Sequence, residues 1–83
     1  MTSGPGEGEK VALDLRGLKC PLPVLRARKA AKGLAPGTLL EVLASDPRAR
    51  DDFPAFCEND GHALLDCAAE GDTLWRFRLR IGG

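Results

Sequence analysis

The sequence predicts a two-layer α/β (α+β) sandwich of order βαβαββ, a mixed four-stranded sheet with two helices on one face. Three observations carry that prediction. Trp75, Phe77, Leu79 and Ile81 alternate with Arg76, Arg78 and Arg80, as in a strand with one face on helices and one in water. A helical segment separates the first two strands, which should then run parallel through a right-handed crossover. Only Glu70-Gly71-Asp72 separates the last two, which form an antiparallel hairpin.

The polar, glycine-rich residues 1–9 read as a disordered tail and residues 10–83 as one domain. Val11, Leu13 and Leu15 alternate with Ala12 and Asp14 as the first strand. Arg16-Gly17-Leu18-Lys19 is a loop delivering Cys20 to the first helix. There Val24, Ala27, Ala31 and Leu34 recur at helical spacing as a core stripe, and Gly33 closes the helix. Pro36-Gly37 has type II turn chemistry and leads to a second strand over Thr38–Ala44. Ser45-Asp46-Pro47 and Asp52-Phe53-Pro54 are successive helix-start signals, read as a short turn feeding a helix over Phe53–Asp60. Phe53 and Phe56 face the core, and Gly61 ends the helix. His62–Ala69 and Thr73–Ile81 are the last two strands.

With 83 residues, of which 43% are hydrophobic and 29% charged, the chain has an ordinary globular composition. No apolar run approaches the ~20 residues of a membrane span, and Met1 to Glu9 has no apolar signal-peptide core, so the expected location is cytoplasmic. Three cysteines are an odd count without zinc-ligand spacing, and His62 is the single histidine. A disulfide scaffold, a metal site and a bound cofactor are all unexpected; a reducing compartment fits free thiols.

Cys20-Pro21-Leu22-Pro23 is where chemistry concentrates. With Cys20 as N-cap, Pro21 falls at the first helical position, where its missing N–H is no loss, and it holds the residue before it extended. Pro23 stands where a Cys-x-x-Cys redox pair would have its second thiol, so sulfur loaded on Cys20 cannot be discharged into a neighbouring disulfide. Pro23 removes one more first-turn donor, which leaves the N–H groups of Leu22 and Val24 to face the sulfur. An ordinary thiol has a pKa of about 8.5, and a helix N-terminus contributes ~0.3–1 kcal/mol toward the thiolate. With Lys19 and Arg16 nearby, a modestly depressed pKa is expected. Asp14 and Asp46 are candidates to bracket the loop by accepting from backbone amides.

Net charge is zero, yet Arg16, Lys19, Arg26, Arg28, Lys29 and Lys32 hold six of the twelve cations between residues 16 and 32 without an acid among them. Residues 46–72 hold eight of the twelve acids. One reading is a solvated helix face; the other is that Arg26, Arg28, Lys29 and Lys32 steer acidic partners toward Cys20.

The run Leu13-Asp14-Leu15-Arg16-Gly17-Leu18-Lys19-Cys20-Pro21-Leu22-Pro23-Val24 closely resembles the signature of the TusA/SirA-like sulfur carriers. Arg28-Lys29, Pro36-Gly37, Asp46-Pro47, Asp52-Phe53-Pro54, Phe56-Cys57, Gly61-His62 and Gly82-Gly83 also match that pattern. The resemblance implies a two-layer sandwich and a sulfurtransferase acting in a relay. Cys20 would accept sulfane sulfur from a cysteine desulfurase or rhodanese and pass it to a DsrE/TusD-like acceptor. Members serve tRNA wobble-uridine thiolation, molybdenum cofactor supply or dissimilatory sulfur oxidation. A monomer without direct nucleic-acid or membrane binding is expected. Ser45 departs from the family's usual Asp-Asp-Pro and leaves open any partner contact of the missing acid.

Cys57 matches a recurrent family cysteine, and reads either as core packing or as a second sulfur site. Cys67, in phase with Leu65, reads as core, and His62 as structural. The Arg76, Arg78, Arg80 ladder could hold RNA, but without aromatics on that face it reads as a solvated sheet. Two other functions stand beside the persulfide relay. A ubiquitin-like carrier would use a thiocarboxylate on Gly83, although its topology begins with a hairpin. A non-catalytic binding module would leave Cys20 inert.

Overall fold

A computed structural model describes residues 9–82 of the chain. Apart from Glu9, the tail expected at residues 1–9 lies outside the described residues, as does Gly83. The elements are β1 (Lys10–Leu15), α1 (Leu22–Lys32), β2 (Leu39–Ala44), α2 (Ala49–Asp60), β3 (Ala63–Ala69) and β4 (Trp75–Arg80). The sheet order is β1-β2-β4-β3, with β1 and β2 parallel and β4 antiparallel to both its neighbours. This is the expected α+β sandwich.

Register builds the core. Val11, Leu13 and Leu15 pair with Leu40, Val42 and Ala44, which in turn pair with Leu79, Phe77 and Trp75. Cross-strand partners share a face, so these residues form one apolar surface under the helices. Phe53 stacks on Phe77 at a ring separation of 4.8 Å and meets Phe56 edge-on at 6.1 Å. Both are almost fully buried, each contributing about 2–3 kcal/mol by leaving water. Ala27 and Ala31 are buried, which lets α1 lie close to the sheet, and Val24 and Leu34 pack at the margin. Thr38 N–H bonds to the Ala35 carbonyl at 3.2 Å and Gly37 has φ +92°, as a type II turn requires.

Four local expectations are corrected. Cys20 is not the N-cap of α1: Leu22 N–H donates to the Lys19 carbonyl at 2.8 Å, closing a turn ahead of the helix. Pro21 is the cap and Pro23 the second helical residue. Leu22 N–H is therefore spent on Lys19 and does not face the sulfur.

The short turn and the helix expected after β2 are one helix with Pro54 inside it. Its first turn is closed by the N–H groups of Ala49, Arg50 and Asp51 donating three residues back, a 3₁₀ pattern that merges into α2 because Ala49, Phe53 and Phe56 share one buried face.

Cys67 is exposed, contrary to its core reading. A bulge between Leu64 and Asp66 changes the phase, so that Cys67 pairs with Phe77 and Leu65 is left outside at 44% exposure. Because β3 is the sheet edge, Cys67 lies beyond the helices' cover. The loop before β4 is also longer than expected: Glu70 N–H bonds to the Leu74 carbonyl at 2.7 Å and β4 begins at Trp75.

Candidate functional site

Cys20 lies beyond the carboxyl ends of the parallel strands β1 and β2, the usual position for sites on open α/β sheets. The loop that carries it is fastened to the loop after β2. Gly17, at φ +85°, donates its N–H to Ser45 Oγ at 2.8 Å. Cys20 N–H donates to Asp46 Oδ2, and Arg48 N–H donates to Asp46 Oδ1 at 3.0 Å. These bonds, together with the positive charge of Arg48 and Lys19, hold the Asp46 carboxyl below its usual range. Ser45 thus binds the Cys20 loop through the Gly17 amide.

The thiol itself is half-buried. Its Sγ donates to Asp52 Oδ2 at 3.1 Å, from the first turns of α2. The Asp52 hydrogen bond comes first in pushing the thiol pKa up, followed by desolvation and the Asp52 charge; Asp46 adds to the rise and Arg48 opposes it. The expected depression is therefore corrected. Arg16 is turned away into a pair with Asp14, with Nη2 to Oδ2 at 2.6 Å, and holds the Asp14 carboxyl at about 2. Lys19 is exposed, and its charge acts on Asp46.

Two grooves meet at Cys20. One runs over Gly17, Lys19, Asp46 and Arg48. The other runs between the helices along Pro21, Leu25, Arg28, Asp52 and Asn59. Leu22 and Leu25 beside it are 45% and 47% exposed, an apolar rim next to the sulfur. Along α1, Arg26, Lys29 and Lys32 continue from that rim in water. Arg28 is partly engaged within the fold, with Nε on Asp60 Oδ2 at 3.0 Å and its guanidinium 5.6 Å from the Phe56 ring centre.

Neither other cysteine joins the site. Cys57 is buried in the core, where desolvation, aided by Asp60, pushes its thiol up to about 11. That burial fits the core-packing reading of Cys57. His62 Nδ1 accepts from Gly82 N–H at 3.0 Å, a structural role far along α2 from Cys20. On the open sheet face Arg76 pairs with Glu41 and Glu70, and Arg78 with Asp66, which removes most of the positive stripe. Among the described residues no group of three or more His, Cys, Asp or Glu could hold a metal ion, and no helix is long and apolar enough to cross a membrane.

Sequence reasoning missed Asp52 and Arg48. A signal for Asp52 was present: it falls three residues after Ala49 and four before Phe56, at the margin of the buried face, whereas Asp51 does not.

A small α+β domain with one half-exposed thiol at the mouth of its parallel strands, and no second thiol beside it, defines a class of single-cysteine carriers. Within that class the chain belongs to a particular family, described as Sulfurtransferase TusA, whose model matches residues 11–81. The sulfur carrier protein TusA of Allochromatium vinosum is 44% identical over 59 residues, covering 71% of this chain and 78% of that protein. A sulfur-carrier-like protein of Neisseria meningitidis serogroup A is 54% identical over 63 residues, covering 76% and 84%. The crystal structure of a SirA-like protein from Desulfitobacterium hafniense is similar at a TM-score of 0.74 and 25% identity, covering 88% of this chain and 99% of that one.

Proposed function

We propose that this chain is a sulfur carrier that accepts sulfane sulfur as a persulfide on Cys20 and passes it to an acceptor protein. The observation that carries the reading is that Cys20 is the one thiol at the crevice: Cys57 is buried, Cys67 is exposed but on the edge strand β3, and all three are free. Membership of the family supports it.

In loading, Cys20 Sγ attacks the outer sulfur of a donor persulfide, R–S–SH. The donor's S–S bond breaks as a new one forms. The donor leaves as R–SH, taking up one proton for the one released by the Cys20 thiol, and the carrier becomes Cys20–S–SH. Discharge repeats the step with the carrier as donor. The chain works as a sulfurtransferase within a relay, taking sulfur from a protein such as a cysteine desulfurase or rhodanese and giving it to a DsrE/TusD-like acceptor. Leu22 and Leu25 form the apolar contact beside the sulfur, and Arg26, Lys29 and Lys32 draw acidic partners to it. Three free thiols suit a reducing cytoplasm.

Mass spectrometry after incubation with a cysteine desulfurase and cysteine should find a gain of about 32 Da, one sulfur atom, on the Cys20 peptide. Cys20→Ser should abolish it. A gain that survives Cys20→Ser, or that appears on Cys57 or Cys67 alone, overturns the reading. Removing Gly82-Gly83 should leave loading intact at some cost in stability, since the bond from Gly82 N–H to His62 Nδ1 is lost. Transfer that needs the di-glycine and not Cys20 would favour a thiocarboxylate on Gly83.

A further inference from the structure

We infer that Asp52 is a positioning residue that keeps the empty Cys20 as a thiol docked against α2. The inference deepens the sulfur-carrier reading and rests on Cys20 being the sulfur-bearing residue.

The geometry is a direct contact between elements. Asp52 Oδ2 accepts from Cys20 Sγ at 3.1 Å across 32 residues of sequence. Asp52 cannot easily drift, because the next residue, Phe53, is fully buried and stacked on Phe77. A carboxylate that accepts S–H favours the protonated sulfur. The surrounding charges do not cancel this. Asp46 holds the Cys20 backbone from the loop after β2 and adds negative charge; Arg48 opposes it; Lys19 acts on Asp46; Arg28, across the groove between the helices, is engaged by Asp60. The α1 N-terminus, where Pro21 and Pro23 lack N–H groups, offers little compensation.

Held as a thiol against Asp52, the empty carrier is shielded from stray electrophiles and oxidants.

The test uses iodoacetamide alkylation of the Cys20 peptide, followed by mass spectrometry across pH and without any sulfur donor, so that it reads Asp52 whether or not the relay reading holds. In Asp52→Asn the midpoint of the pH profile should fall and the rate at pH 7 should rise about threefold or more, as a half-unit shift in a thiol pKa gives. Asp51→Asn removes the same charge one residue away and should leave the profile in place. An unchanged or raised midpoint in Asp52→Asn, or an equal shift in Asp51→Asn, overturns the inference. A further check needs no variant: the wild-type midpoint should lie above that of a synthetic peptide spanning residues 16–25. A midpoint at or below the peptide's also overturns it.

Discussion

The open face of the sheet and the crevice at Cys20 handle charge in opposite ways. On the open face cations and acids answer each other: Arg76 lies between Glu41 and Glu70, and Arg78 is held by Asp66 at 2.8 Å. At the crevice the acids face backbone and sulfur instead, with Asp46 on the amides of Cys20 and Arg48 and Asp52 on the thiol. The first arrangement neutralises a surface and leaves it inert. The second leaves a directed field around one reactive atom, and in a domain of this size that imbalance marks the working end better than any count of charged residues.

Removing the acid that fastens the crevice should break that contrast most strongly. Asp46→Ala deprives two backbone amides of their acceptor and frees the Cys20 turn. Misplacement of a reacting atom by about 1 Å costs up to ~10²-fold, so loading from a protein donor should fall by about tenfold or more. Asp66→Ala, which breaks an exposed pair on the open face, should leave loading unchanged. Stopped-flow or quenched loading assays check both, and equal losses in the two variants would erase the distinction between the faces.

Charge reversal along α1 should have a smaller effect. Lys29 and Lys32 are exposed beyond the apolar rim of Leu22 and Leu25, and neither is in an ion pair among the described residues. Lys29→Glu with Lys32→Glu should slow association with an acidic protein donor about fivefold at low ionic strength, a difference that shrinks as salt rises. Loading by a small inorganic donor should change little. Arg28 is unsuited to this test, because replacing it also breaks the Arg28–Asp60 bond that ties α1 to α2. Salt-independent association of the wild type would argue against steering.

Features written in local pattern were legible in the sequence. The alternation through β4, the Pro36-Gly37 turn, the glycine that ends α2 and the lone thiol of Cys20-Pro21-Leu22-Pro23 each depend on neighbours within a few residues. What was not legible depends on packing between distant segments. Cys67 was misread because its exposure follows from β3 being the edge strand, while the bulge at Leu65 puts Cys67 opposite Phe77 and leaves Leu65 outside, and a periodicity reveals neither. The thiol's acidity was misjudged because Arg16 turns to Asp14, two residues back, while an acid 32 residues on reaches the sulfur. Counting cations near Cys20 in sequence therefore had the wrong sign.

The smallest expected effect concerns Asp14, whose pair with Arg16 sits beside the crevice yet behaves like those of the open face. Arg16 holds the Asp14 carboxyl at about 2, below its ordinary 3.8. A carboxyl whose folded pKa is depressed stabilises the fold above its unfolded pKa, and that contribution disappears as pH falls through the folded value. For Asp14 the window runs from about 3.8 down to about 2. Asp46 is also depressed, by the amides of Cys20 and Arg48, and loses its contribution on the same acid side. Thermal melts of the wild type between pH 4 and 2 should therefore show a falling Tm. Asp14→Asn should lower Tm at pH 7 by a small amount and make the acid fall shallower by that same amount, small because both partners of the pair are more than half exposed and water screens them. Loading of Cys20 at neutral pH should be unaffected. If Asp14→Asn instead cut loading as deeply as Asp46→Ala, the Asp14–Arg16 pair would belong to the working end, and the boundary between the two regions would have to move to the end of β1.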